Sequence, residues 1–400
     1  MVVGEENGFS GSGSGTENDP YVITNVQQLQ EMKYDLDAYY VLGNDIDASE
    51  TVNWNNGAGF EPVGNTVKPE YEPYLDFYLS HKWSYLFDSF SGTLDGRGYR
   101  ITGLHIDRNQ DRVGLFGVLT GTVKDLVLED VSVSAGSGTE KTGALAGLAN
   151  ATIENVHVTG TVTGYNQAGG LVGHQEGGLI AGSSSNANVV ANNWCAGGLV
   201  GLAWGTVSKS HSSGSVEVLG STEAGGLVGY LQFGGSVERS YSKASVSGND
   251  HVGGLVGEME PNADHISNSF STGSVMGNSC VGGLVGKIQG GSIVNCYSTG
   301  IVQGSSYVGG LIGRKNGGSV LNSFWDMETS GQSSSAGGTG KTTEQMKNVR
   351  TYTDTNWSEG LDDAWDFVGN PYDDSENDSI WDLSLIHISE PTRLGMISYA

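Results

Sequence analysis

A short apolar block, Gly-Gly-Leu-Val/Ile-Gly, recurs along the middle of this chain at an almost constant interval. Clean copies occupy 169–173, 197–201, 225–229, 253–257, 282–286 and 309–313, and looser relatives lie at 114–117 and 143–147. The shared leucines follow one another at intervals of 30, 26, 28, 28, 28, 29 and 27 residues. A fixed period of this size predicts a solenoid, in which each repeat forms one coil stacked on its neighbours.

Each repeat contains three short apolar segments separated by Gly and Asn. In one repeat they lie at 292–298, 300–304 and 308–313. Consecutive strands joined by such tight corners cannot pair with each other, so each pairs with its equivalent one coil away. The pattern predicts an all-β fold, a three-sheet parallel β-helix with about 28 residues per coil.

Alignment of the repeats places residues of one kind in columns. Two columns are β-branched and are predicted to line the interior. A third column is aromatic and predicts a stacked ladder. The columns are Ile180, Val207, Val237, Ile266 and Ile293; then Val189, Val216, Val246, Val275 and Val302; then His211, Tyr241, Phe270, Tyr297 and Phe324.

The three cysteines are predicted to be small buried thiols. Cys195 and Cys280 share the position two residues before the Gly-Gly pair, three coils apart. At a strand spacing of roughly 4.8 Å that separation is about 14 Å, too far for a disulfide. Cys296 falls in a different column, which is otherwise filled by Ser183, Ser210, Ser240 and Ser269.

The organisation predicted along the chain has five parts. Residues 1–16 form a flexible Gly/Ser-rich lead, 17–90 an N-terminal cap, 91–325 the β-helix, and 326–382 a C-terminal cap or linker. The segment 383–400 begins with LSLIHISEPTR, which resembles the translation of a sequencing adapter, so we interpret it as an artefact.

The cap contains the one clear helix signal. Asn25 is a suitable N-cap residue, and the apolar residues that follow it share one helical face. Those residues are Val26, Leu29, Met32 and Leu36.

Composition narrows the range of partners. The chain has 45 acidic and 19 basic residues and a net charge of −26. This balance repels phosphate backbones and argues against nucleic acid as a partner, and it favours solubility in salt or binding of cations. No apolar run reaches transmembrane length, so we expect no membrane insertion of this fragment. Calcium is the one cofactor to consider, but Asp362-Asp363 lacks the spacing of an EF-hand loop.

The repeated blocks resemble the GLUG motif repeats of bacterial and archaeal surface proteins. These include adhesins of the filamentous-haemagglutinin type and immunoglobulin A-specific metallopeptidases. GTENDPYVITNVQQLQEM at 15–32 and NSFWDMETSGQSSSAGGTGKTTEQM at 322–346 also resemble segments that flank such repeats. The resemblance covers about 16–350, and implies a right-handed parallel β-helix that is exported and displayed. The motif carries no known catalytic residues.

Catalytic motifs are weak in this sequence. None of the eight histidines has His-Glu-x-x-His spacing. Gly340-Lys341-Thr342 looks like the end of a phosphate loop, but Ser335 stands where that motif needs glycine. Glu258, Glu260 and Asp264 form the densest acidic group of the repeats, which is typical of a solvated loop and less so of a glycosidase pair.

The column after each Gly-Leu-Val-Gly varies in charge and shape, so we interpret it as a loop face that either binds a ligand or varies freely. It contains His174, Leu202, Tyr230, Glu258, Lys287 and Arg314. The speculative ligand-binding residues on this face are Trp204, Tyr230, Phe233, Glu258 and Glu260.

The functional hypothesis is a non-enzymatic β-solenoid segment of an exported cell-surface protein. It serves adhesion or acts as a spacer, and its partners are glycans or proteins of host or neighbouring cell surfaces. Two alternatives stay open. One is a carbohydrate-active β-helix enzyme, either a polysaccharide lyase or a hydrolase. The other is a passive repeat spacer within a larger peptidase or adhesin.

Overall fold

The structure is a computed structural model that describes residues 8–65, 88–220 and 222–365. These residues form a parallel β-helix of about nine turns, which confirms the predicted fold class. Each strand pairs in parallel with its equivalent one coil away, as Val228 does with Val256. The artefact predicted at 383–400 lies outside the described residues, as do parts of both predicted caps.

The strands stack in five columns, which we number 1 to 5 in the order that follows. Column 1 contains Phe116–Leu119, Val200–Ala203, Val228–Leu231, Val256–Met259, Val285–Ile288 and Ile312–Lys315. Column 2 contains Tyr21–Ile23, Tyr39–Leu42, Thr93–Asp95, Thr206–Ser208, Ser236–Glu238, His265–Ser267, Ser292–Val294 and Ser319–Leu321. Column 3 contains Ile46–Asp47, Arg100–Thr102, Tyr241–Ser242, Phe270–Ser271, Tyr297–Ser298, Phe324–Asp326 and Thr339–Lys341.

Column 4 contains His105–Arg108, Ser245–Ser247, Val275–Met276 and Val302–Gln303. Column 5 contains Lys141–Gly143, Gln167–Gly169, Cys195–Gly197, Ala224–Gly225, Asp250–Gly253, Ser279–Gly282 and Ser306–Gly309. Longer strands run through several of columns 1 to 4: Thr122–Ala135, Ala146–Gly164, Val172–Ala181, Ser184–Ala191 and His211–Val218. The helices, α or 3-10, are Val26–Glu31, Met32–Tyr34, Ser49–Gly57, Met327–Ser330, Thr343–Met346 and Arg350–Thr353.

The first predicted strand of each repeat is divided in two by a left-handed corner. Asn295, at φ 54°, separates Ser292–Val294 from Tyr297–Ser298. Asn and Gly adopt this conformation readily, whereas longer side chains adopt it less often. Lys209 and Arg239 stand at the equivalent corners of other coils, also with positive φ. The sequence prediction missed this corner even at Asn295, because the whole segment 292–298 was predicted as one strand.

A serine column satisfies the backbone at this buried corner. The Ser210 hydroxyl accepts a hydrogen bond from the Ser183 amide, at 3.1 Å, and donates to the Ser208 carbonyl, at 2.8 Å. Cys296 takes the same position, and its thiol donates to the Val294 carbonyl. Burial raises the pKa of the Cys296 thiol to about 12. All three cysteines are free and buried, as predicted.

The predicted interior and aromatic columns are confirmed. Both β-branched columns are buried along their whole length. His211, Tyr241, Phe270 and Tyr297 stack with ring centroids 4.7, 4.9 and 4.8 Å apart and planes within 8° of parallel. Each ring lies over the next because the coils repeat in register.

The strand ladder begins within the segment predicted as the N-terminal cap. Tyr21–Ile23 pairs with Tyr39–Leu42, which in turn pairs with Thr93–Asp95. Apolar residues of these strands join the interior column, so the coil extends to them. The predicted helix is present at Val26–Glu31, where the Asn25 side chain accepts a hydrogen bond from the Gln28 amide, at 2.9 Å.

Residues after the last coil pack on the end of the aromatic ladder. Met346, Tyr352 and Trp365 are buried against Phe324 in one apolar cluster. The Trp365 indole nitrogen donates to the Asn322 carbonyl, at 3.1 Å. This part of the C-terminal segment therefore covers the end of the ladder. Lys341 lies in the same region and donates to the Glu359 carbonyl, at 2.7 Å, which fits a structural role.

The Gly-Gly pair of the motif lies where the backbone turns from column 5 towards column 1. A Cβ atom on Gly225 would lie 1.8 Å from the Val228 carbonyl oxygen. One on Gly226 would lie 2.0 Å from the Gly254 carbonyl oxygen and 2.2 Å from the Ser242 hydroxyl. Both approaches are far inside van der Waals contact, so neither position accepts a side chain.

The third glycine of the motif allows column 5 to lie against column 1. A Cβ on Gly229 would lie 2.7 Å from the Ala196 carbonyl oxygen, which belongs to column 5 of the preceding coil. The same contact recurs at Gly313, where the nearest column 5 atoms are the Val281 amide nitrogen and the Cys280 carbonyl carbon. The complete motif thus encodes a turn followed by close packing of two strand columns.

We expect Gly226→Ala to lower the free energy of unfolding by about 1–3 kcal/mol, because the added methyl group overpacks two coils at once. Urea denaturation measures the change. Gly8→Ala is the control, since a Cβ on Gly8 has no heavy atom within 4 Å. Equal midpoints for the two variants would contradict this explanation of the motif.

Candidate functional site

A second, smaller interior lies between strand columns 1 and 5. We call it the intersheet layer. The column 5 residues in it are Lys141, Gln167, Cys195, Glu223, His251, Cys280 and Tyr307. The column 1 residues in it are His174, Leu202, Tyr230, Glu258, Lys287 and Arg314. Contacts across the layer join Cys195 to Leu202 and Tyr230, and the Arg314 guanidinium to the Tyr307 ring.

The prediction of an exposed loop face is wrong for four of the six residues in that column, because these four are buried. His174, Leu202, Tyr230 and Glu258 lie on strands and are at most 9% exposed. Column 5 covers them because the third glycine of each block lets the two strand columns approach closely. The variable column is thus largely the lining of an inner layer.

Four charged side chains meet in this layer. The His251 Nδ1 atom lies 2.8 Å from Glu258 Oε2 and 3.4 Å from Glu223 Oε1. The Lys287 ammonium lies 2.9 Å from Glu258 Oε1, and the Gln289 amide also donates to that oxygen. Two carboxylates thus face two basic groups.

Both central groups are held in their charged forms. Burial acts to lower the pKa of His251, but hydrogen bonds to Glu223 and Glu258 outweigh it and raise that pKa to about 9. Burial acts to raise the pKa of Glu258, but bonds from His251 and Lys287 lower it to about 2. Glu258 is therefore a permanent anion at neutral pH, and an unsuitable general acid.

An aromatic group lies along the same layer, two coils away. The Trp204 ring is half-buried and meets His174 edge-on at 4.5 Å and Phe233 at 4.8 Å. The Trp204 indole nitrogen donates to Gln232 Oε1, at 3.0 Å. Phe233 is 40% exposed, so the group has one face in solvent.

The other predicted ligand-binding residues, Tyr230, Glu258 and Glu260, do not form one site with Trp204 and Phe233. Tyr230 is buried, and its hydroxyl donates to Glu260. Glu258 belongs to the charged cluster, where it contacts His251 and Lys287. Asp264 is exposed and lies 3.2 Å from the His265 Nδ1 atom. Trp204 and Phe233 therefore lie together, whereas Glu258, Glu260 and Asp264 make contacts with Lys287, Tyr230 and His265 respectively.

Two members of the charged cluster, Glu223 and His251, were not identified as site residues from the sequence, and neither was Gln289, which donates to Glu258. The sequence did contain a signal, because Glu223 and His251 occupy the column position identified for Cys195 and Cys280.

The burial of His174 was also not predicted from the sequence. Neither of its ring nitrogens has a hydrogen-bond partner among the described residues, and burial lowers its pKa well below the usual value.

The model of the GLUG motif matches residues 192–217 and 277–303. Both matches span one turn of the β-helix, from column 5 to column 4.

The chain carries GLUG-motif repeats.

Relatives of these GLUG repeats are much longer proteins. The chain is 38% identical over 182 residues to Halomucin of Haloquadratum walsbyi, covering 44% of this chain and 2% of Halomucin. It is 37% identical over 114 residues to an immunoglobulin A1 protease of Streptococcus sanguinis, covering 27% of this chain and 6% of the protease. A solved IgA1 protease structure is 18% identical, with a TM-score of 0.42, and the match covers 76% of this chain and 21% of that one.

The GLUG coils are therefore a β-solenoid repeat domain related to parts of larger proteins. In the described residues, no helix combines the length and the apolar character that a membrane crossing requires.

We expect Glu258→Gln to lower the free energy of unfolding by about 3 kcal/mol, because it leaves two basic groups without their shared carboxylate. Thermal and urea unfolding measure the loss. Glu217→Gln is the matched control, since Glu217 is exposed in column 4 and has little charge interaction to lose. A loss no larger than that of the control would show that the cluster does not stabilise the fold.

Proposed function

We propose that these GLUG coils are a non-enzymatic, rod-like segment of an exported cell-surface protein, and that the aromatic patch formed by Trp204 and Phe233 binds a glycan. The observation that carries the proposal is the Phe233 ring, which is exposed and held against Trp204 at a coil corner. Aromatic rings fixed on a rigid scaffold suit the apolar faces of sugar rings, because little conformational freedom is lost on binding.

The fold supports the rod role. Backbone ladders and buried columns continue from coil to coil, so each coil is held by its neighbours. The resemblance to GLUG repeats of surface proteins supports export and display. Adhesion and an extracellular location follow from that role.

The geometry of the carboxylates supports a non-enzymatic role. A glycosidase needs a protonated carboxyl group and a free carboxylate on either side of a sugar. Glu258 is buried and ion-paired, and Glu260 accepts a hydrogen bond from Tyr230. Neither group is placed for that pair of roles, so a lyase or hydrolase is the less favoured alternative.

The test is binding of the full chain to a glycan array, followed by affinity measurements on the best ligand. We expect Phe233→Ala to weaken binding about tenfold, since aromatic stacking contributes about 0.5–1.5 kcal/mol. Tyr99→Ala is the matched control, because Tyr99 has a similar exposed fraction on a distant coil.

Three outcomes would count against the proposal. Absence of glycan binding would favour the passive spacer, and binding unaffected by Phe233→Ala would place the ligand elsewhere. Release of reducing ends or unsaturated products from acidic polysaccharides would overturn the non-enzymatic role.

A further inference from the structure

Three side chains of the intersheet layer converge on one point with donors that transition metals prefer. Glu223 and His251 occupy neighbouring coils of column 5, and Glu258 lies opposite in column 1. One ligand atom from each lies within 4.8 Å of the others. Zinc binds both histidine nitrogens and carboxylate oxygens, and imidazole also suits the neighbouring transition metals.

The distances fit a small tetrahedral ion. Ligands about 2.0–2.2 Å from zinc are separated from each other by roughly 3.3 Å. The His251 Nδ1 atom lies 3.4 Å from Glu223 Oε1 and 2.8 Å from Glu258 Oε2. All three ligand atoms lie within 4.8 Å of one another, so binding an ion requires the side chains to rotate and close the longest of these separations.

A second observation concerns the Glu223 side chain of this cluster. Glu223 is 6% exposed, and its Oε2 atom has no hydrogen-bond partner among the described residues. A buried carboxylate oxygen without a partner is costly unless a cation compensates it. The His251 Nδ1 atom contacts the other oxygen, Oε1, at 3.4 Å, so Oε2 is left as an available ligand atom.

Residues next to the cluster hold the proposed ligands in place, as the hydrogen-bonded outer shell of a metal site does. Lys287 and Gln289 both bind Oε1 of Glu258, which leaves Oε2 directed at His251. Metal-ligating carboxylates are commonly fixed by such hydrogen bonds on the second oxygen. The His251 side chain is partly exposed, which gives an ion access to the layer.

We propose that Glu223, His251 and Glu258 form a binding site for a zinc-class divalent ion between columns 1 and 5. The ion displaces the proton that His251 carries in the metal-free chain, so Nδ1 coordinates as part of the neutral ring, and water completes the coordination. The ion joins two coils of column 5 to column 1, so it acts as a structural clamp on the rod. Calcium is a poor fit, because it requires six to eight oxygen ligands.

The experiment uses the full chain, stripped with a chelator and titrated with Zn²⁺ by calorimetry and with Co²⁺ by visible absorption. We expect saturable binding of one ion per chain and the d–d bands of a tetrahedral cobalt site. Ca²⁺ should not compete. Zinc should also raise the melting temperature, because it binds only the folded chain.

Glu223→Gln is the decisive variant, since it removes a ligand but keeps the shape of the side chain. We expect it to weaken Zn²⁺ binding by more than about 100-fold, beyond the 10–100-fold loss typical of an outer-shell change. His251→Gln should abolish the cobalt bands. Circular dichroism and melting without metal show whether each variant is folded. If His251→Gln does not fold, the result for Glu223→Gln alone decides the test.

His265→Gln is the matched control. His265 also lies between two carboxylates, Glu238 and Asp264, but they contact opposite ring nitrogens and cannot share one ion with it. We expect this variant to bind Zn²⁺ like the original chain. Absence of saturable binding, or binding that survives Glu223→Gln, would overturn the proposal and leave the cluster as a metal-free ion network.

Discussion

Close approach of backbone to backbone at the glycine blocks is the constraint on which this structure depends. A carbonyl oxygen of the next coil lies where a side chain on the second glycine would begin, as at Gly226 and Gly254. This contact fixes both the turn between columns 5 and 1 and the distance between coils. The register of every other column follows from it, including the serine and aromatic ladders.

The same constraint creates the intersheet layer. Because the third glycine has no side chain, column 5 packs directly on column 1, and residues such as Glu258 that would otherwise face solvent become buried. Burying charged groups is tolerated only when they are paired. The arrangement of Glu223, His251, Glu258 and Lys287 meets that condition, apart from one carboxylate oxygen. The most unusual chemistry of the molecule is thus a consequence of its most repetitive feature.

Much of the fold was predictable from the sequence, because the period and the β-branched columns repeat so regularly. Burial of column 1 was not predictable in the same way. The glycine that permits it belongs to the repeated block, but nothing in the residue pattern shows which strand packs against it. The corners at Lys209 and Arg239 could not be predicted either, because these residues adopt a left-handed conformation that their side chains do not favour. Of the candidate site, Trp204 and Phe233 were predictable as neighbours, whereas the meeting of His251 with Glu258 depends on packing between columns.

Disulfide trapping between solvent-accessible positions of column 4, half-buried at Ser247 and exposed at Met276 and Gln303, tests the stacking of coils most directly. Ser247 pairs with Met276 in the next coil, and Met276 pairs with Gln303 in the one after. The Ser247→Cys/Met276→Cys variant should form an intramolecular disulfide on mild oxidation, because adjacent strands are about 4.8 Å apart. The Ser247→Cys/Gln303→Cys variant, with twice that separation, should stay reduced. The reverse result, or equal trapping of both pairs, would contradict the stacked-coil account.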